Sequence, residues 1–412
     1  MPTLIDRLNA IGLKKGIDLA APVKLEHMSL AEVLNAEIKE NQFGRVLVIE
    51  KEYPYGTQHG NIQFYEEVDT QTIHKAGKVN SRISNLNRMV YLDTETTGLS
   101  GGTGTLAFLV GLARFTDKGL LLTQYMIEDP SEEESMLLEI ANYCSDVDAV
   151  ITFNGKSFDM PLLKTRYLIH KMKIPFENWE HLDLLHLSRR IWKLRLASRS
   201  LKDLEQEVLD VPRSEDEVPG WMIPEIYFNY LRTGEAEQLS RVVYHNAMDI
   251  VSLAALNFKI IQMFENNLLL NQNHSLDVFA IGQLYESIGD TEKAIEIYLH
   301  CLEFGQLEEL IKNELRSRLA IIYKRKAWWE KALPYWIQNG NFGDYNACIE
   351  LAKYYEHQEK SVTKALEWTI QGVIYLEESK LARHQKKMLQ TSLVARKKRL
   401  EKRIQDAAKK NP

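Results

Sequence analysis

Met89-Val-Tyr-Leu-Asp93-Thr-Glu95-Thr-Thr-Gly98 is the stretch that decides how this chain is read. Four apolar residues, Met89 to Leu92, lead into two carboxylates, Asp93 and Glu95, two positions apart. In a strand, alternate residues share a face, so both carboxylates project to the same side of a sheet. Like charges held that close raise one another's pKa unless a cation lies between them. The geometry asks for a metal. The competing reading is a polar strand end followed by a Thr-Thr-Gly turn.

Two carboxylates further along weigh in favour of the metal. Ala149-Val-Ile-Thr152 reads as a short buried strand, and Phe153-Asn-Gly-Lys-Ser-Phe-Asp159-Met-Pro161 follows it. Asn154-Gly155 turns the chain, and Asp159 opens a helical run to Met172. Later, Tyr244-His245-Asn-Ala-Met-Asp249 lies on a helix whose apolar Val242, Leu253, Leu256 and Ile260 recur at helical spacing.

Taken in order, Asp93-x-Glu95, Asn154-Gly-x-x-Phe-Asp159 and His245-Asn-x-x-Asp249 resemble the motifs of the DEDD 3′→5′ exonucleases of the ribonuclease H-like superfamily. The resemblance spans residues 86–265. It is nearest the branch shared with the proofreading domains of family B DNA polymerases. It is nearer still to bacterial proteins in which such a domain precedes tetratricopeptide repeats (TPR). It implies that Asp93, Glu95, Asp159 and Asp249 hold two divalent ions beside the scissile phosphate. Hard oxygen ligands favour Mg²⁺ or Mn²⁺, and no covalent nucleophile is needed.

The proton acceptor is where the chain departs from that pattern. One subgroup of the family uses a His five residues before the last Asp, and another a Tyr four before it. Here the identities are exchanged: Tyr244 stands five before Asp249, and His245 four before. On a helix turning ~100° per residue, His245 lies ~40° from Asp249 and Tyr244 ~140° away. His245, with an imidazole titrating near neutrality, is the expected general base. Tyr244 is expected in the core, and a different local helix geometry exchanges the two roles.

Lys156, between Asn154 and Asp159, is an expected substrate contact, and the resemblance implies that Asn154 and Phe158 help to place the terminal nucleotide. Gly98-Leu-Ser-Gly-Gly-Thr-Gly104 lacks the Lys-Ser or Lys-Thr of a P-loop and is read as a tight turn beside the metals. Asp183, in His181-Leu-Asp183, either supports the site or is a solvated or capping acid. The segment from Arg189 through Trp192 and Arg195 to Lys202 either holds phosphates, with Trp192 stacking on a base, or is a basic helix face with Trp192 in the core.

At 412 residues and 45% apolar content the chain can build two cores. Its longest apolar run, Leu106 to Ala113, is too short for a membrane span, and Met1 to Gly16 has no signal-peptide core. Cys144, Cys301 and Cys348 are too scattered for a disulfide framework or a zinc site. A cytoplasmic, reduced protein is expected. Residues 1–85 form an N-terminal extension packing on the nuclease, with helices expected at Leu4–Leu13 and Ser29–Ile38, a strand at Val46–Ile49 and a turn at Tyr53-Pro-Tyr-Gly56.

Residues 86–268 form the nuclease domain. Strands are expected at 89–95, 106–115, 119–127, 148–153 and around 181–185, with helices at 131–144 and 159–172. Three consecutive strands and then α/β alternation describe a mixed five-stranded sheet with helices on both faces, the α/β ribonuclease H-like order. Ser214 to Trp221 reads as a loop. Residues 269–378 turn to helix pairs. Leu284-Tyr285 with Ala294 echoes Ile322-Tyr323 with Ala332 and Tyr354-Tyr355 with Ala365, alanines 38 and then 33 residues apart. That is close to the ~34-residue TPR period and predicts an all-α TPR-like repeat domain with a protein partner.

Charge is uneven along the chain. Residues 380–412 hold twelve Lys/Arg and two acids, a balance of +10 that leaves −16 of the total −6 to residues 1–379. The basic helix or tail over 379–412, with Arg396-Lys-Lys-Arg399, Lys402 and Arg403, is an expected nucleic-acid handle.

The leading expectation is a metal-dependent 3′→5′ exonuclease acting on single-stranded DNA or RNA ends. Proofreading is less attractive, because no polymerase domain follows. The alternatives are a nucleic-acid-binding adaptor with a non-catalytic nuclease-like domain, and a structure-specific endonuclease.

Overall fold

The computed structural model describes residues 28–66, 68–79, 86–98, 104–212, 218–265 and 273–410. The helix expected at Leu4–Leu13, most of the glycine loop after Gly98 and residues 213–217 lie outside them. The chain divides into two compact units, Met1–Arg189 with Ser198–Gln262, and Arg190–Ala197 with Met263–Pro412.

The first unit is built on one seven-stranded sheet. Its strands are β1 (Glu37–Asn41), β2 (Gly44–Pro54), β5 (Met89–Thr96), β6 (Ala107–Phe115), β7 (Gly119–Met126), β8 (Ala149–Thr152) and β9 (Glu180–Asp183), in the order β1-β2-β7-β6-β5-β8-β9. β5, β8 and β9 run parallel, and the pairs from β5 to β1 are antiparallel. β3 (Gln58–His59) and β4 (Ile62–Gln63) form a separate ribbon. β5 is central, and its residues Met89 to Leu92 are buried without alternation, as a strand covered on both faces requires.

The expected five strands are present, and two more join them. Leu47↔Met126 through Pro54↔Gly119 pair β2 along the outer edge of β7, so the N-terminal segment extends the sheet. β7 buries Leu122, Tyr125 and Met126, and an uncovered edge beside such residues would invite aggregation. The polar ends of β2 hid its length in the sequence, where only Val46–Ile49 stood out. The helix expected over Ser29–Ile38 is confined to α1 (Leu30–Leu34), stopped by Asn35 at φ 49°, and the chain then enters β1.

The helices that frame the sheet are α2 (Gln71–Gly77), α3 (Glu133–Tyr143), α4 (Asp159–Ile169), α5 (Leu184–Ile191), α6 (Leu201–Glu207), α7 (Ile223–Thr233) and α8 (Glu237–Glu265). α8 is long and apolar enough to cross a membrane. It is instead the principal core helix, with 72% of its most apolar window buried.

The second unit contains three helix pairs: α9 (Ser275–Ser287) with α10 (Thr291–Phe304), α11 (Glu309–Arg325) with α12 (Trp329–Asn341), and α13 (Tyr345–His357) with α14 (Val362–Glu378). Ala294, Ala332 and Ala365 each sit on the second helix of a pair and are fully buried. α15 (Arg383–Lys410) follows.

Candidate active site

The site forms where β5 runs out. Its ladder with β6 shifts register between Glu95 and Thr96, an irregularity that ends the regular pairing just past the two acids. Asp93 is half-buried, and the buried side-chain amide of Asn246 on α8 reaches it. Asn246 donates from Nδ2 to Asp93 Oδ2 at 2.8 Å. Its own Oδ1 accepts from Gln124 Nε2 on β7 at 2.9 Å, and Gln124 also reaches the carbonyl of Val243 at 2.9 Å. A buried amide therefore has a partner at both ends and fixes one carboxylate oxygen.

This close approach depends on Gly111, which faces Asp93 across the β5–β6 ladder. A Cβ there would meet Asn246 Oδ1 at 2.2 Å and Ile250 Cδ1 at 2.1 Å. Only a residue without a side chain lets α8 lie so close to the strand.

Asp159 is the first residue of α4, where the positive end of the helix favours an acid. Its Oδ1 accepts the Thr94 hydroxyl at 2.5 Å. The turn before it is held by Asp183. That carboxylate is buried and accepts from the backbone N–H of Asn154 at 2.8 Å, Lys156 at 3.1 Å and Leu185 at 3.1 Å. Asn154 adopts φ 69°, and a Cβ on Gly155 would strike the Thr152 side chain at 2.6 Å. Asp183 thus combines its two readings, holding the Asn154 turn and capping the first turn of α5 through Leu185.

The four acids perturb one another. Burial pushes the Asp93 carboxyl well above its ordinary range, and Asp159, Glu95 and Asp249 push it further, against the Asn246 hydrogen bond. Glu95 is likewise raised, by burial and then by Asp249 and Asp159. Burial also raises Asp159, opposed by the Thr94 hydroxyl and helped by Asp183. His245 is buried, with Nε2 at 3.6 Å from Asp249 Oδ2 and 4.0 Å from Glu95 Oε1.

Tyr244 is 49% exposed, so the core position expected for it is wrong. The helix turns its ring to solvent, away from the acids that His245 faces. Lys156 and Phe158 are exposed at the mouth of the Asn154 turn. Trp192 took the other path: it is fully buried in the second unit, where Arg195 pairs with Asp277 at 2.8 Å and Arg190 bonds Ser287 at 2.7 Å. Those bases serve internal packing.

Among the described residues no three His, Cys, Asp or Glu side chains are already drawn together as a closed metal cage. The chemistry of the donors nevertheless fits hard divalent ions. They are all carboxylate oxygens, half-buried, and in Asp93 and Glu95 desolvation and then repulsion from the other acids raise the pKa, which a dication would relieve.

Residues 90–261 match the RNase_H superfamily. The uncharacterized protein YprB of Bacillus subtilis (strain 168) is 32% identical over 340 residues, covering 78% of this chain and 78% of its own. The chain belongs to the RNase_H superfamily, in the family of that protein. Members of the superfamily are typically nucleases. Among solved structures, the family B DNA polymerase of the archaeon Pyrobaculum calidifontis aligns at 13% identity and a TM-score of 0.35. The alignment takes in 63% of this chain and 34% of the polymerase.

Proposed function

We propose that the protein is a metal-dependent 3′→5′ exonuclease of the DEDD type, acting on single-stranded ends of DNA or RNA. The observation that carries this reading is the set of half-buried, mutually repelling acids. Asp93 and Glu95 are both held above their ordinary range, and Asp159 and Asp249 both contribute to that shift. Four such carboxylates around one space would be a liability in a structural protein and are an asset beside a phosphodiester.

Asp93, Glu95, Asp159 and Asp249 would hold two divalent ions, Mg²⁺ or Mn²⁺. When bound, such ions supply charge neutralisation and Lewis acidity at the phosphate oxygens. His245 Nε2 accepts a proton from the attacking water, and the neighbouring Asp249 and Glu95 steady the imidazolium that results. Lys156 contributes a cation to the phosphate, and Asn154 and Phe158 place the terminal nucleotide. The helix pairs, with their buried alanines, suit a TPR-like domain that takes a protein partner.

The test uses purified protein, Mg²⁺ or Mn²⁺, and 5′-labelled single-stranded DNA and RNA. A ladder shortening from the 3′ end is expected, abolished by Asp93→Ala. His245→Ala should lose about 10²–10⁴-fold in rate, while Tyr244→Phe stays near the parent. Binding without cleavage under both metals would overturn the enzyme reading. Internal cuts would make the protein an endonuclease. Equal rates for His245→Ala and the parent would remove His245 as the base.

A further inference from the structure

α7 has two apolar faces, and among the described residues only one of them is covered. Ile223 and Tyr227 turn inward, with Tyr227 stacked on Phe108 at 4.0 Å and planes 5° apart. The other face begins at Trp221, just before the helix, and continues through Phe228 and Leu231 to Arg232, at helical spacing. Trp221 is 68% exposed and Phe228 46%.

With Glu225 and Gly98 these residues line a shallow groove, open to solvent, of about 710 Å³. Gly98 is three residues beyond Glu95, so the groove opens beside the strand end that carries the acids. Arg232 bonds only the Asn229 side chain, at 3.2 Å, and forms no ion pair among the described residues.

Two exposed aromatic rings and one uncommitted guanidinium, next to a site for phosphodiester chemistry, match the chemistry of an unpaired nucleotide. Rings offer π-faces to any base, and arginine offers a fork to its phosphate. We propose that this groove seats an unstacked base of the single strand upstream of the terminal nucleotide. Trp221 and Phe228 stack on the base, and Arg232 takes its phosphate. Stacking on the two rings accepts the face of any base. A base held in a duplex has no free face to offer, which excludes paired substrate from this position. The proposal rests on the exonuclease reading and adds a subsite to it.

The experiment uses the full chain carrying Asp93→Asn, so that strands are not cut, and oligonucleotides with 5-iodouracil at successive positions from the 3′ end, in DNA and RNA versions. Photocrosslinks to Trp221 or Phe228 are expected from one or two upstream positions. Affinity measured by anisotropy should fall about tenfold for each ring removed, in Trp221→Ala and Phe228→Ala. Trp221→Phe should restore most of it. Both rings are exposed, so unchanged melting temperatures are expected and would separate lost contact from lost fold. Crosslinks mapping elsewhere, or unchanged affinity in the double variant, would overturn the subsite while leaving the nuclease reading intact. Failure to bind any strand would overturn the subsite and the exonuclease reading together.

Discussion

Asn246 has no charge and no catalytic chemistry, yet it connects Asp93 to Gln124 and through it to the backbone of α8. Asn246→Ala would leave the buried Gln124 amide short of an acceptor and Asp93 short of a donor. The expected cost is about 1–3 kcal/mol in stability. Metal affinity or rate should fall about 10–100-fold, the scale found when a ligand's outer partner is lost. Gly111→Ala should act in the same direction by displacing the same amide. Thermal melts and metal titration of cleavage would check both variants, and parent-like kinetics in Asn246→Ala would show that Asp93 needs no such support. The four acids were legible because each sits in a motif with its own spacing. Asn246, Gln124, Gly111 and Thr94 were not. Their roles depend on contacts between β5, β6, β7 and α8 that no local spacing reveals. Asp183 was half legible. As an acid ending a strand it was visible, but its bonds to the Asn154 turn exist only because β9 lies parallel to β8, with Asp183 opposite Thr152.

Helix α4 presents Asp159 from its first turn and is anchored at its far end. There His170 meets Glu133 at 2.6 Å and Glu134 at 2.8 Å, while Arg166 pairs with Glu133 at 2.5 Å. Between these points the Tyr167 hydroxyl donates to the Leu137 carbonyl at 2.7 Å. Partial burial opposes charge on His170, but hydrogen bonds and attraction from Glu133 and Glu134 outweigh it and raise its pKa above 6.5. A raised imidazole stabilises the fold fully below its unfolded value of about 6.5, and that contribution is lost as pH climbs through the folded value. His170→Gln should therefore be less stable than the parent by on the order of 1 kcal/mol near pH 6, a gap that closes at alkaline pH. Denaturant melts across that range would reveal it, and a gap that widens with pH would contradict the sign. Strands β5 to β9 and the helices between them were readable because burial runs and turn residues mark their ends. Only Glu37 and Ile38 of β1 fell within the expected helix, and the rest of the strand, polar and exposed, carries no strand pattern of its own. Only its pairing with β2 makes it a strand.

For the whole molecule, the uneven charge has two separate structural outlets. In the first unit four of the acids meet at the β5 end, where Asp93 and Glu95 take up protons more readily than free acids. In the second unit part of the basic excess is spent internally. Buried Glu356 accepts from Arg396 at 2.7 Å, Arg399 at 2.9 Å and Arg403 at 3.4 Å, so three bases of that basic helix also fix α15. Each arrangement makes a distinct demand on stability. Glu356→Gln should lower stability by about 1.5–3 kcal/mol, the worth of a charge-assisted bond, and leave cleavage rates unaltered. A divalent ion that binds only the folded acid cluster should raise stability by about 2.7 kcal/mol at ~100 times its Kd. Calorimetry with Mg²⁺, Mn²⁺ and EDTA would measure that shift in the parent, in Asp249→Asn and in Glu356→Gln. The acids explain it if Glu356→Gln keeps the metal-induced rise in full and Asp249→Asn loses most of it. An equal rise in all three proteins would place the metal elsewhere, and with it the origin of the acidic balance.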